Sequence, residues 1–163
     1  MFQGFSQGAI DFLWGIRFNN ERSWFLAHKE EFLTLVDAPM RELAAQVSQA
    51  MTEEFPKLGL ELKVSRIYRD ARRLFGRGPY KDHLWFSIHR PQESPGDSPS
   101  FWFELTPDSW SCGMGFWDAP AVTMAKFRAR MDRDPKPAEK LARRLNRQDF
   151  FILDGPEYKR PKA

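Results

Sequence analysis

The residue types best suited to chemistry are concentrated between positions 66 and 81. Arg66-Ile67-Tyr68-Arg69-Asp70-Ala71-Arg72 is followed by Gly78-Pro79-Tyr80-Lys81. Arg66, Arg69, Arg72 and Lys81 bring four positive charges beside one carboxylate and two phenols. In an extended chain successive side chains alternate, which sends Arg66, Tyr68 and Asp70 to one side and Ile67 and Arg69 to the other. Asp70 is then placed to orient Arg66 or Arg72 in a bidentate carboxylate–guanidinium pair. Pro79 stiffens the following loop and fixes where Tyr80 and Lys81 project. Guanidinium groups held in this way suit phosphate or carboxylate. The set expected to bind a ligand is therefore Arg66, Tyr68, Arg69, Asp70, Arg72, Tyr80 and Lys81, with Tyr68 or Tyr80 stacking. The competing account is a structural network in which Asp70 and the arginines pair across a sheet.

Other residues suggest alternative chemistry. Asp70 or His83 could serve as the general base of a hydrolase or transferase, which would need such a group within hydrogen-bond reach of its substrate. His83 and His89 fall on one face of the same expected strand, but six residues of extended chain span about 20 Å. They cannot share a metal directly, and no HExxH pattern or paired carboxylates accompany them. No metal site and no cofactor are expected. Cys112 alternates with Trp110 and Met114, so a buried structural thiol is the expectation ahead of a nucleophile. Gly113 and Gly115 lack the strand–loop–helix setting of a phosphate loop and fit a bulge or a close approach.

These residues need a scaffold, and the chain supplies one. Ser6 can cap a first helix carrying Ala9, Ile10, Phe12, Leu13 and Ile16 on one stripe, with Gly15 and Asn19-Asn20 expected to end it. Asn20 is expected to cap a second helix from about Glu21 to Val36, and Pro39 to kink or restart it. Met40, Leu43, Ala44, Val47 and Met51 continue the stripe until Pro56 and Gly59. The period then changes to two. Strands are expected over 60–72, 83–89, 101–105 and 110–117, the last two joined by a hairpin turn at Thr106-Pro107-Asp108-Ser109, with a polar loop at 91–99. Helices are expected again over 121–131 and 138–145, and a last strand over 150–153. Helices, then strands, then helices argue for an α+β fold, with an antiparallel sheet of about four to five strands flanked by N-terminal and C-terminal helices.

Trp85, Phe86, Phe101, Trp102 and Phe103 fall in these strands. Neighbours point to opposite faces, so a sheet covered on one side would leave aromatics bare on the other. Such a surface could stack bases while arginines hold phosphates, or could support self-association.

The 163 residues fit a single domain, 1–163. With 42% hydrophobic residues, fifteen Phe and six Trp, the chain can build a core and is not a disordered segment. One cysteine excludes an internal disulfide. The first residues do not form a secretory signal, and no window approaches the roughly 20 apolar residues of a spanning helix. A cytoplasmic protein with no membrane partner is the expectation. Net charge is +3, unevenly spread: −3 over 1–59, +5 over 60–90, −5 over 91–125, +6 over 126–147 and 0 beyond. The two basic blocks favour an anionic partner, a small molecule or nucleic acid. The second block, with Lys136, Lys140, Arg143, Arg144 and Arg147 broadly on one side of a helix, reads first as a solvated surface.

The combination Arg66-Ile67-Tyr68-Arg69-Asp70 then Pro79-Tyr80-Lys81, with Gly4-Phe5, Phe12-Leu13, Asn19-Asn20, Trp24-Phe25, Gly113-x-Gly115 and Pro120, resembles an uncharacterised family of bacterial and fungal proteins, domain of unknown function 2461. The resemblance covers nearly the whole chain and implies no activity, cofactor or catalytic residue. Relatives carry an acidic and a lysine position where this chain reads Arg72-Arg73-Leu74-Phe75-Gly76-Arg77. They also continue past the region of Tyr158-Lys159-Arg160-Pro161-Lys162, so a C-terminal segment is expected to be missing. The resulting expectation is a binding module for a phosphate-bearing ligand or single-stranded nucleic acid. The alternatives are the enzyme using Asp70 or His83 and a self-associating structural domain.

Overall fold

A computed structural model of the chain describes residues 1–91, 98–117 and 119–153. Most of the polar loop expected at 91–99, and the tail after 153, lie outside the described residues. The first helix, α1, spans Gln7–Phe18, and the Ser6 side chain accepts from the Ala9 amide as expected. It buries Ala9, Phe12, Leu13 and Ile16. Gly15 does not end α1. It leaves room for Trp24, whose ring carbon would lie 2.6 Å from an added Cβ.

α2, Arg22–Ala27, is followed by a single turn at Lys29–Glu31 and a π-helical turn at Phe32–Asp37. α3 then runs over Ala38–Glu54 with Pro39 in its first turn. Proline has no amide to donate, and a π turn just before it takes up the missing hydrogen bond by widening the helix. The expected restart at Pro39 is therefore real. Asn20 does not cap α2; that position belongs to Glu21, which makes no side-chain cap bond. Asn20 is used elsewhere.

Four antiparallel strands follow in the order β1-β2-β3-β4: Glu61–Val64, Leu84–His89, Ser100–Leu105 and Trp110–Gly115. The α+β arrangement is as expected, with four strands. Thr106 closes the β3–β4 hairpin, its hydroxyl accepting from the Asp108 and Ser109 amides. The ladder of β1 ends at Val64, short of the expected Arg72: at the next position the Ser65 hydroxyl accepts from the Trp85 amide at 2.9 Å, and a 3-10 segment follows at Ala71–Arg73. The period of two persists from Ser65 to Asp70, with Ser65 and Ile67 buried and Arg66, Tyr68 and Asp70 exposed, but Val64, expected on the side of Arg66, packs against the core instead. Phe150–Leu153 form no strand and are exposed. An apolar run of four residues has the composition of a strand but gains ladder bonds only if an edge is there to receive it.

Burial alternates strictly along β2, with Leu84, Phe86 and Ile88 inside and Trp85, Ser87 and His89 half-exposed. The inner face joins α1, α2 and α3 in one core that includes Phe12, Leu13, Phe25, Phe32, Val36, Met40, Ile67, Tyr80 and Leu105. The other face holds polar and indole side chains, with Lys63 and Trp102 exposed and Trp85, Ser87 and Glu104 half-exposed. Contacts divide the chain into two compact units, residues 1–118 and 119–163. The second contains α4, Ala121–Arg133, and α5, Lys136–Leu145. Among their described residues none is buried. No described helix is long and apolar enough to cross a membrane.

Candidate functional site

The segments 65–70 and 79–82 run alongside each other through backbone bonds. The Arg69 amide donates to the Pro79 carbonyl at 2.8 Å, and the Lys81 amide to the Ile67 carbonyl at 2.7 Å. Tyr68 and Tyr80 form an isolated antiparallel bridge. Asn20 clamps this pair from the helical side. Its amide group donates to the Tyr80 carbonyl and its oxygen accepts from the Tyr80 amide, both at 2.9 Å. Gly78 lies so close beneath Asn20 that a Cβ there would collide with it. The side chain thus imitates one rung of a β-ladder, using both of its hydrogen-bonding functions.

Arg69 turns inward. Its Nε donates to the Tyr80 carbonyl at 2.7 Å, and its Nη2 lies 3.4 Å from Asp82 Oδ1. Asp82 is the electrostatic centre of this corner. Its Oδ2 accepts from Arg17 Nε at 2.6 Å, and its Oδ1 lies 3.2 Å from His83 Nδ1. Burial pushes the Asp82 carboxyl up, but the hydrogen bonds from Arg17 and His83 outweigh it and hold the group below the usual aspartate range. Arg17 also donates to Asp108 at 2.7 Å, which ties α1 to the β3–β4 turn. Its bonds to Asp108 and Asp82 raise its pKa.

The open face of the sheet presents a different set. Lys81 extends its ammonium to the Arg66 carbonyl at 2.7 Å, and the group sits 5.8 Å from the Trp85 ring centre. Lys63 sits 6.0 Å from the same ring. The Lys81 amine is pushed below the ordinary lysine range, first by burial and then by Arg66, Arg69 and Lys63. Among the described residues, no carboxylate pairs with Lys63, Arg66 or Lys81. One cation-rich corner therefore surrounds the Trp85 indole. On the adjoining strands, Trp102 lies opposite Ser87 and Gly113. A Cβ at Gly113 would come within 3.1 Å of the Trp102 ring, so glycine lets the indole lie across β4.

The structure thus divides the residues expected to act together. Arg66 and Lys81 share the open corner. Arg69 is committed to Asp82 and the Tyr80 carbonyl. Asp70 pairs with Arg72, as expected for one of its two candidate partners: Arg72 Nε and Nη2 reach its two oxygens at 3.0 and 2.7 Å, and the Arg72 amide reaches Oδ1 at 3.0 Å. That pair is exposed and local, and does not cross the sheet as an ion-pair network would. Tyr80 is buried, with its ring stacked 4.3 Å from Phe25, so it is not available to a ligand. Burial, reinforced by Tyr68, pushes its phenol up. Tyr68 remains exposed, edge-on to Phe25. Of the five aromatics proposed as a platform, Trp85 and Trp102 face outward, while Phe86, Phe101 and Phe103 join or pack against the core.

Sequence reading missed Asp82, Lys63 and Arg17. Asp82 directly follows the motif, so position alone could have flagged it, but Arg17 is brought to it from 65 residues away. His83 sits between carboxylates, its Nδ1 by Asp82 and its Nε2 3.8 Å from Glu104. No group of three or more metal-ligating side chains forms among the described residues. The Cys112 thiol, expected to be buried, is exposed. Trp110 and Met114, on the same side of β4, an edge strand of the sheet, are exposed as well.

The motif now has a structural reason: its residues hold together the corner where the helical layer meets the sheet. A family model for a conserved hypothetical protein matches residues 8–163. The chain belongs to the DUF2461 family. No curated protein and no solved structure gives a significant match. The DUF2461 match spans both compact units, so it takes in the clamp residue Asn20, the Asp82 centre and the two indoles of the open face.

Proposed function

We propose that this DUF2461 chain binds a phosphate-bearing ligand at the corner formed by Lys63, Arg66 and Lys81. One observation carries the reading: the Lys81 amine is held over Trp85 near Lys63 and Arg66, where burial first and then Arg66, Arg69 and Lys63 depress its pKa. Like charges brought together with no ion-paired carboxylate among the described residues cost free energy in the unliganded protein, and an anionic ligand relieves that cost. Asp82 and Arg69 support the corner from behind and do not touch the ligand. Asp70, Arg72 and Tyr80 fall outside it.

Titration calorimetry with pyrophosphate tests the reading. Wild type binds, Lys81→Glu loses most of the affinity, and Asp70→Asn retains it. Affinity also declines as pH rises toward the depressed Lys81 pKa, because the neutral amine contributes no charge. Equal binding by wild type and Lys81→Glu would remove the corner as the site.

A second reading, an enzyme of the hydrolase or transferase type, is favoured by the geometry of His83. A carboxylate at Nδ1 orients an imidazole and leaves Nε2 to accept a proton. The same geometry disfavours Asp70, whose oxygens are taken by Arg72. Turnover of a phosphoester that disappears in His83→Ala and persists in Asp70→Asn would support this reading. No turnover across phosphomonoesters and phosphodiesters would exclude it for that substrate class.

A further inference from the structure

We infer that the ligand of the open face is single-stranded nucleic acid, with Trp102 as the surface on which a base stacks; this rests on the phosphate-binding reading above. The register decides the geometry. Lys63 lies opposite Ser87, Ser87 opposite Trp102, and Trp102 opposite Gly113. These four residues form one rung across the outer face, and neighbouring strands are about 4.8 Å apart. Lys63 and Trp102 are therefore about 10 Å apart at the backbone, with only the small Ser87 between them. A nucleotide whose base lies on the indole directs its phosphate along this rung towards the cationic corner.

The two indoles have different roles. Trp85 carries two ammonium groups within about 6 Å of its ring centre, which makes it a support for charge. Trp102 lies across Gly113 and keeps 36% of its surface exposed. An exposed indole on a sheet, near cations that no described carboxylate pairs with, matches what single strands require: a π face for any base and positive charge for the backbone. Among the described residues, the acidic groups of the face lie off the Lys63–Ser87–Trp102 rung itself, although Glu104 is the direct cross-strand neighbour of Trp85. Glu104 lies on the next rung, near His83, and Glu61 faces His89 one rung the other way. A duplex keeps its bases stacked inside and cannot offer one to Trp102.

Fluorescence anisotropy of a labelled oligothymidylate 12-mer, measured with the full chain, tests the inference alongside pyrophosphate calorimetry. The single strand binds more tightly than a duplex of the same length. Trp102→Ala weakens oligonucleotide binding by about tenfold or more, the loss of one stacked base. Trp102→Phe retains most of it, and neither variant alters pyrophosphate binding. Trp102 lies outside the buried core, so the Phe variant and an unchanged melting curve separate lost stacking from lost fold. The log–log salt dependence has a slope near −2 for three phosphate contacts at about −0.7 each. It becomes shallower in Lys63→Gln/Lys81→Gln. Oligonucleotide binding indifferent to Trp102→Ala, or pyrophosphate binding with no oligonucleotide binding, overturns the inference and leaves the anion site standing. Failure of both ligands overturns both.

Discussion

Replacing Asp82 by Asn tests whether one carboxylate organises the corner. The change keeps the shape and removes the charge that Arg17 contacts at 2.6 Å and Arg69 at 3.4 Å. Hydrogen bonds to charged groups contribute about 1.5–3 kcal/mol when well buried. The Asp82 side chain is 20% exposed and that of Arg17 is 32% exposed, so solvent screening reduces the figure. The Arg69 contact is long, and Arg17 retains Asp108. A loss of about 1.5 kcal/mol follows, or about 4–8 °C in melting temperature for a unit of this size. The pH dependence fixes the cause. Because the folded-state pKa of Asp82 is depressed, the unfolded chain takes up its proton first as pH falls. The stabilisation is therefore complete at neutral pH and fades as pH drops below about 4 and on through the folded pKa. Urea unfolding of both proteins at pH 7 and pH 3 measures this. Asp82→Asn should unfold at lower urea at pH 7, and the gap should narrow at pH 3. A variant within about 0.3 kcal/mol of wild type at pH 7, or a gap of the same size at both pH values, refutes the reasoning.

Other perturbations follow from the same geometry. Asn20→Ala removes both bonds to Tyr80 and should cost about 1–3 kcal/mol in urea unfolding, since it leaves a part-buried amide without its partner. Gly15→Ala should destabilise by about 1–2 kcal/mol despite alanine's better helix propensity, because the added carbon meets the Trp24 ring at 2.6 Å. Phe75 has φ +46° and is exposed, so Phe75→Gly should raise stability by about 0.5–1 kcal/mol, read as a higher melting temperature. The exposed Cys112 should react fully with a thiol reagent in the native protein, at a rate little changed by denaturant; a thiol that reacts only after unfolding would contradict its position.

Much of the fold was legible because local physics dictated it. The stripe of Phe12, Leu13 and Ile16, the period of two through Leu84, Phe86 and Ile88, and the Thr106–Ser109 turn each depend on neighbours a few residues away. Errors occurred where a residue's role was set by a distant partner. Asn20 has the chemistry of a helix cap but spends its amide on Tyr80, sixty residues on. Gly15 resembles a terminator, yet its missing side chain admits Trp24. Phe150–Leu153 have strand composition, and no described strand receives them.

The site follows the same division. The sequence by itself determined the clustering of positive charge in 60–90, the family, and the alternation that separates Arg66 from Arg69. Only the tertiary structure decided which charges remain available. Strand pairing brings Lys63 and Trp85 to Lys81 and Arg66, whereas Asp82, approached by Arg17 from α1, takes Arg69 out of the set. The reason is physical: a side chain's type is fixed by its codon, but whether its charge is neutralised depends on which groups the folded chain brings within a few ångströms of it.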